Sequence, residues 1–188
     1  MKNLELNSIQ KKLLLKVARE TITKTVIGSA PDNYSIDDPV LNIECGAFVT
    51  IHDHGNLRGC IGNITARTPL WKTVMNMAVE ASTRDPRFHA ISADELDDID
   101  IEISALSPLW KIKDIEEIKV GKHGILIKKG FNQGLLLPQV ATENNFDRKS
   151  FLEHTCLKAG LDRNCYKDKN CEIHIFSATV FGEKDQEG

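Results

Sequence analysis

The sequence predicts an α+β protein in which helices flank a mainly antiparallel sheet. Residues 99–105 alternate apolar side chains with acidic or serine side chains, which is typical of a strand with one buried face. Residues 9–21 and 70–81 instead repeat apolar side chains at helical spacing. Helical and strand segments do not alternate regularly, so a parallel sheet is not expected. With 188 residues and no long linker, the chain is expected to form one domain over residues 1–188.

The first helix is predicted from apolar positions that recur every four residues at Ile9, Leu13 and Val17, and Leu14 and Ala18 widen this stripe. Asn7 or Ser8 can cap its first amides, and Gln10 stands at capping-box distance from Asn7. The helix is therefore expected to begin within one residue of Ser8.

Two β-hairpins and a final strand make up the rest of the predicted sheet. The final strand, residues 171–181, changes the phase of its apolar side chains and so predicts a bulge or burial on both faces. The first hairpin joins residues 47–51 to 57–61, and the second joins residues 124–129 to 135–140.

Two further helices follow the hairpins. For the first of these, Thr68 is predicted as the N-cap and Pro69 as the first helical residue, while Pro86 ends the helix. The other is predicted over residues 148–159, with Gly160 in the position that ends many helices.

Composition and charge exclude several classes of protein. Lys and Arg total 24 against 27 Asp and Glu, a net charge of −3, so nucleic acid is the weakest class of partner. No apolar run reaches the roughly 20 residues of a membrane span, and a polar N-terminus without a signal sequence predicts a cytoplasmic protein. The odd number of cysteines predicts free thiols rather than a disulfide framework; they are Cys45, Cys60, Cys156, Cys165 and Cys171.

The densest signal for chemistry is the segment LRGCIG at residues 57–62. Arg58 and Cys60 are two residues apart, so in an extended strand their side chains leave the same face, and a guanidinium nearby favours the nucleophilic thiolate. Gly59 and Gly62 would allow a ligand to approach the backbone closely. The alternative is that Cys60 is a buried packing residue and that the glycines let a helix pack on the sheet.

Two further segments carry candidate binding or catalytic residues. Asp85 and Arg87 lie in a proline-fixed turn after the second helix, where a guanidinium could clamp a carboxylate or phosphate. The alternative is a local role, in which Arg84 pairs with Glu80 one helical turn away and Asp85 caps nearby amides. His123 lies in a glycine-flanked loop suited to proton transfer, although such a histidine can equally be solvated, and Gln139 after Pro138 could donate to or accept from a ligand.

No metal or cofactor is predicted. His52 and His54 could share one strand face, and Cys165, Cys171 and His174 could form a cluster, but neither set has the spacing of a known zinc site. The sequence also lacks the glycine-rich loops that bind nucleotides.

Five motifs in a fixed order resemble the AMMECR domain family, also called AmmeMemoRadiSam system protein A, over about residues 9–182. They are LRGCIG at 57–62, DPRF at 85–88, GKHG at 121–124, GLLLPQV at 134–140 and CLKAGL at 156–161. The resemblance implies a larger and a smaller lobe, with a cleft between them that the LRGCIG segment partly lines. It also implies an association with Memo-like and radical-SAM proteins, and it implies no established activity.

Together, the residues and the resemblance predict an accessory protein that binds a small ligand, for which a small anion is the candidate, or a partner protein. The alternative is an enzyme in which Cys60 is a nucleophile or thiol ligand and His123 is the acid or base, acting on a small anionic or carbonyl substrate. The predicted ligand-binding residues are Arg58, Gly59, Gly62, Asp85, Arg87 and Gln139.

Overall fold

The computed structural model describes residues 4–186, which divide into two compact units. The N-terminal unit comprises residues 4–106 and 179–186, and the C-terminal unit comprises residues 107–178. Antiparallel strands and helices build both units, which confirms the predicted α+β class.

In the N-terminal unit, two helices cover one face of three strands. The elements are α1 (Ser8–Val26), α2 (Leu70–Thr83), β1 (Ala47–Asp53), β2 (Asn56–Asn63) and β3 (Ile99–Leu106). β1 pairs antiparallel with both β2 and β3, so β2 lies at the edge of the sheet. The alternating side chains of β1 and β3 are fully buried beneath the helices, as predicted; they include Val49, Ile51, Ile101 and Ile103.

The C-terminal unit repeats this plan with different elements. The short β4 (Trp110–Lys111) and β5 (His123–Lys129) both pair with residues 172–177 of β7 (Glu172–Gly182), and β6 (Asn132–Leu136) forms a hairpin with β5. Residues 179–182 of β7 belong to the N-terminal unit. Two helices follow the hairpin, α3 (Pro138–Glu143) and α4 (Arg148–Lys158). In each unit a hairpin leads into a helix, and a later strand then pairs with the first strand of the hairpin.

One glycine in each hairpin allows close packing of strand on helix. In β2, a Cβ on Gly59 would lie 2.4 Å from the carbonyl oxygen of Ala81 in α2. In β6, a Cβ on Gly134 would lie 2.3 Å from the backbone nitrogen of Ala159 at the end of α4. The two glycines occupy equivalent positions, because each pairs with the isoleucine that continues the row to the third strand. This shared arrangement indicates a packing role for Gly59.

The buried face of α1 agrees with the predicted stripe over most of its length. Leu14, Val17 and Ala18 are fully buried, whereas Ile9 at the start of the stripe is 77% exposed. The predicted capping box between Asn7 and Gln10 is present. Gln10 is itself buried, and its amide donates to both carboxylate oxygens of Asp38.

Two boundaries and the burial of one side chain also differ from the predictions. Pro69, not Thr68, is the N-cap of α2, and no side chain bonds to the first amides. The strand expected to reach Val140 ends at Leu136, because Pro138 begins α3 instead. In β7 the phase changes between Ile175 and Phe176, but Val180 is 45% exposed rather than buried.

The prediction that all five thiols are free is wrong for two of them. Cys156 in α4 and Cys165 in the turn that follows form a disulfide, with their Cα atoms 6.0 Å apart. The turn after Gly160 reverses the chain and brings the two cysteines side by side, which sequence spacing alone does not reveal. Cys45, Cys60 and Cys171 are free.

Candidate functional site

Cys60 lies on the edge strand of the N-terminal unit, and its thiol is half-buried. The neighbouring residue, Gly59, faces α2, so the alternation of β2 directs the Cys60 side chain to the opposite face of the sheet. There the hydroxyl of Thr50 on β1 donates to the sulfur at 3.2 Å. Among the residues of this unit that the structure describes, no histidine and no carboxylate forms a hydrogen bond with the sulfur.

A row of three polar side chains crosses this face of the sheet. The strand register places Thr50 between Cys60 on β2 and Glu102 on β3. All three are half-buried rather than enclosed. A thiol, a hydroxyl and a carboxylate therefore follow one another across three strands.

The hairpin register contains a bulge that explains the row. His52 pairs with Leu57 and Ile51 pairs with Gly59, so Arg58 is the extra residue. A regular hairpin would have placed Thr50 opposite Gly59. The bulge also breaks the simple alternation from which a shared face for Arg58 and Cys60 was expected.

Asp85 and Arg87 bond to the backbone of Cys60 from the turn after α2. The carboxylate Oδ2 of Asp85 accepts from the Cys60 amide at 2.8 Å, and Nη2 of Arg87 lies 3.4 Å from the Cys60 carbonyl oxygen. Asp85 also accepts from Nε and Nη2 of Arg87, at 3.0 and 2.7 Å. The ion pair thus takes the place of a neighbouring strand at this point of the sheet edge.

The two partners of this ion pair differ in exposure. The side chain of Asp85 is 2% exposed, and the side chain of Arg87 is 53% exposed. The hydrogen bonds from the Arg87 guanidinium hold the pKa of Asp85 well below its ordinary value, and the Cys60 amide adds to this effect. Asp85 in turn raises the pKa of Arg87. The pair is therefore fully charged at neutral pH.

Arg58 forms an ion pair with a different carboxylate, that of Glu95. Its Nε donates to Oε1 of Glu95 at 2.6 Å, and its Nη1 donates to the carbonyl oxygen of His89 at 2.9 Å. The guanidinium of Arg58 lowers the pKa of Glu95 to about 2. Arg58 thus fastens the 89–95 segment to β2. The centroid of the Phe88 ring lies near both guanidinium groups, 6.0 Å from Cζ of Arg58 and 5.4 Å from Cζ of Arg87.

Gly62, the other glycine of the motif, also meets a neighbouring group. A Cβ there would lie 2.2 Å from the ring of Phe48 on β1. The ring lies over the backbone of Gly62, so the space that a ligand would need is filled by a side chain of the same unit.

His123 and Gln139 belong to the C-terminal unit. His123 is 6% exposed; its Nδ1 accepts from the Lys119 amide at 3.2 Å, and its ring meets that of Trp110 edge-on. This bond leaves Nε2 as the nitrogen that carries the hydrogen. Burial, with Lys122 adding to it, lowers the pKa of His123, so the ring is neutral at pH 7. Gln139 lies in the first turn of α3.

Neither a metal site nor a membrane helix is found in the part of the chain that the structure describes. Over residues 4–186, no group of three or more His, Cys, Asp or Glu side chains is arranged to hold an ion. The suggested cluster loses Cys165 to the disulfide. Within the same range no helix has the length and apolar character needed to cross a bilayer.

Three residues of the site were not among the predicted ones: Thr50, Glu95 and Glu102. Thr50 and Glu102 are placed in line with Cys60 by the strand register, and the sequence does not predict the bulge in that register. Glu95 had a signal in the sequence, since it stands three residues after Ser92, the spacing of a capping box, and that box is present. Its carboxylate also binds Arg58.

These features define a two-unit α+β protein with a half-exposed cysteine beside a buried carboxylate and an exposed guanidinium. Comparison with known proteins then gives the family. The sequence profile of AMMECR1 matches residues 15–181, and the chain belongs to the AMMECR1 family.

The relatives show the same extent of similarity. The chain is 38% identical over 192 residues to a protein of Methanosarcina acetivorans, covering 97% of this chain and 96% of that protein. It is 41% identical over 150 residues to a protein of Aquifex aeolicus, covering 76% and 77%. It is also similar to the crystal structure of the uncharacterized protein PH0010 from Pyrococcus horikoshii, with a TM-score of 0.78, 34% identity, and coverage of 92% and 90%.

Proposed function

We propose that the protein is an accessory protein that binds a partner protein or a small anionic ligand through the surface around Cys60 and Arg87. The observation that carries the proposal is the guanidinium of Arg87. Nε and Nη2 are fixed by Asp85, while Nη1 takes part in none of the described hydrogen bonds and the side chain is 53% exposed. A guanidinium that is held in place and still has one free edge suits recognition of a carboxylate or phosphate.

The surroundings of the thiol favour binding over catalysis. A nucleophilic cysteine needs an adjacent base or a free cation to activate it. In the N-terminal unit the described neighbour of the sulfur is the Thr50 hydroxyl, and both nearby arginines are already paired with carboxylates. Arg58 and Asp85 then act as supports of the surface, and Gly59 and Gly62 act as packing residues beneath it.

The expected partners are the Memo-like and radical-SAM proteins with which the family is associated in prokaryotes, and the expected compartment is the cytoplasm. An accessory role fits a chain whose candidate surface offers a fixed charge and a polar row rather than an enclosed catalytic pocket.

Co-purification tests the proposal with two matched arginine variants. Arg87→Lys keeps a cation beside Asp85 but removes the free edge of the guanidinium, whereas Arg84→Lys changes an exposed arginine whose partner, among the described residues, is Glu80. We expect the tagged protein to retain the Memo-like or radical-SAM protein of the same organism. Arg87→Lys should reduce the amount retained, and Arg84→Lys should leave it unchanged. Equal retention by both variants, with both folded by circular dichroism, would contradict the proposal.

An enzyme remains the second candidate, because the Thr50 hydroxyl donates to the sulfur of Cys60 and would stabilise negative charge there. In that case Cys60 is the nucleophile or thiol ligand for a small anionic or carbonyl substrate. A covalent adduct at Cys60 with an electrophilic substrate analogue, lost in Cys60→Ser, would favour this function.

A further inference from the structure

A separate cavity lies entirely within the C-terminal unit. It measures about 700 Å³ and is formed by residues 115–120, by the first turns of α4 and by Tyr166. A cavity of this size falls within the range that binds small molecules. None of the residues assigned to the candidate site above contributes to its lining.

The walls of this cavity are largely apolar. Ile118 and Leu152 are fully buried and form its floor. Phe146 and Tyr166 are half-buried aromatic side chains of the wall, and Val120 is 39% exposed at the opening. Such a lining suits the flat apolar body of a ligand.

Three of the five charged side chains in the lining already have partners within the protein. Nη1 of Arg148 lies 2.6 Å from Oε2 of Glu116, and Nε of Arg148 donates to the carbonyl oxygen of Ile118. The carboxylate of Asp147 accepts from the Ser150 amide at 2.7 Å, so the first turn of α4 is capped by the protein itself.

Two lysines are left to meet a ligand. Lys119 forms no ion pair among the residues that the structure describes, and the nearest acid to Lys149 is Glu153 at 3.8 Å, a distance typical of a weak surface pair. The lining as a whole has three cationic and two anionic side chains, in a protein whose net charge is −3. The local excess of one positive charge complements a single negative charge.

We infer that this cavity binds a small organic monoanion with an aromatic body. The aromatic body lies against Phe146 and Tyr166, and its carboxylate or sulfonate lies beside Lys119 and Lys149. This inference does not depend on the function proposed for the surface around Cys60, which belongs to the other unit.

The test uses 1-anilinonaphthalene-8-sulfonate as the anionic probe and N-phenyl-1-naphthylamine as its neutral counterpart. Fluorescence titration of the folded protein should give saturable binding of the anionic probe. The double variant Lys119→Met/Lys149→Met keeps the apolar stems and should weaken that binding by about threefold to tenfold, in the range of two exposed charge pairs. It should leave the neutral probe unaffected.

Two controls decide the outcome. Lys169→Met removes an exposed lysine of the same unit that does not line the cavity, and it should leave the binding of both probes unchanged. Val120→Glu adds a negative charge at the opening and should weaken the binding of the anionic probe relative to the unmodified protein. The inference is overturned if the double variant binds the anionic probe as the unmodified protein does, if Lys169→Met weakens it equally, or if the unmodified protein does not bind it.

Discussion

Replacement of Gly59 by alanine separates a packing residue from a ligand-binding one. The added Cβ would lie 2.4 Å from the carbonyl oxygen of Ala81, nearly 1 Å closer than the roughly 3.3 Å at which such atoms normally meet. Backbone cannot rotate away as a side chain can, so β2 and α2 must move apart. Overpacking of this kind costs about 1–3 kcal/mol, and a backbone clash belongs at the upper end.

Thermal or urea unfolding followed by circular dichroism measures this cost. Gly134→Ala should show a similar loss, because its Cβ would lie 2.3 Å from the backbone of Ala159. Gly182→Ala is the control: its nearest contact is 3.5 Å, so stability should stay the same or rise by a few tenths of a kcal/mol. The reasoning is refuted if Gly59→Ala melts with the unmodified protein, and a loss of partner binding alone would then make Gly59 a ligand contact.

Three further predictions follow from the N-terminal unit. Ile101→Asp places a charge at a fully buried position and should cost several kcal/mol in a urea melt, whereas Glu102→Gln on the other face should change stability little; equal effects would mean that the register is wrong by one residue. The folded protein lowers the pKa of Asp85, so its contribution is complete above the ordinary value of 3.8 and is lost as the pH falls below it. Asp85→Asn should therefore cost about 2 kcal/mol at pH 7 and progressively less below about pH 4, and a pH-independent difference would contradict the ion pair. In the folded protein iodoacetamide should label half-exposed Cys60 well before Cys45, because burial raises the pKa of Cys45 to about 12. Arg58→Gln should change the labelling rate of Cys60 by less than about threefold, because Glu95 already neutralises Arg58. A large fall of the labelling rate in that variant would favour the enzyme.

Much of the fold was predictable because its signals are local. The alternation of β3 and the hairpin that joins residues 47–51 to 57–61 each depend on a few neighbouring residues, and the structure confirms both. The helix α2 has the predicted apolar stripe for the same reason. At the start of α1 the burial of Gln10 in place of Ile9 was not predicted, because Gln10 contacts Asp38, which is distant in sequence.

The candidate site was predictable only in part. The sequence indicated Cys60, Asp85 and Arg87 as candidate site residues, and the structure brings these three together. It could not indicate that a bulge at Arg58 shifts the register, and so it did not identify Thr50 as the neighbour of the thiol. Bulges, disulfides and ion pairs between distant segments depend on tertiary packing, which leaves no periodic pattern in the sequence.

The most direct test of the accessory role compares two substitutions of Cys60 in quantitative co-purification with the Memo-like and radical-SAM proteins. Cys60→Ser keeps the size of the side chain and removes the thiol chemistry, while Cys60→Trp covers the surface; Leu57→Trp, on the same strand and 42% exposed, controls for added bulk. Binding by recognition alone predicts full retention for Cys60→Ser and Leu57→Trp and loss for Cys60→Trp. Loss in Cys60→Ser, or full retention in Cys60→Trp, would contradict it.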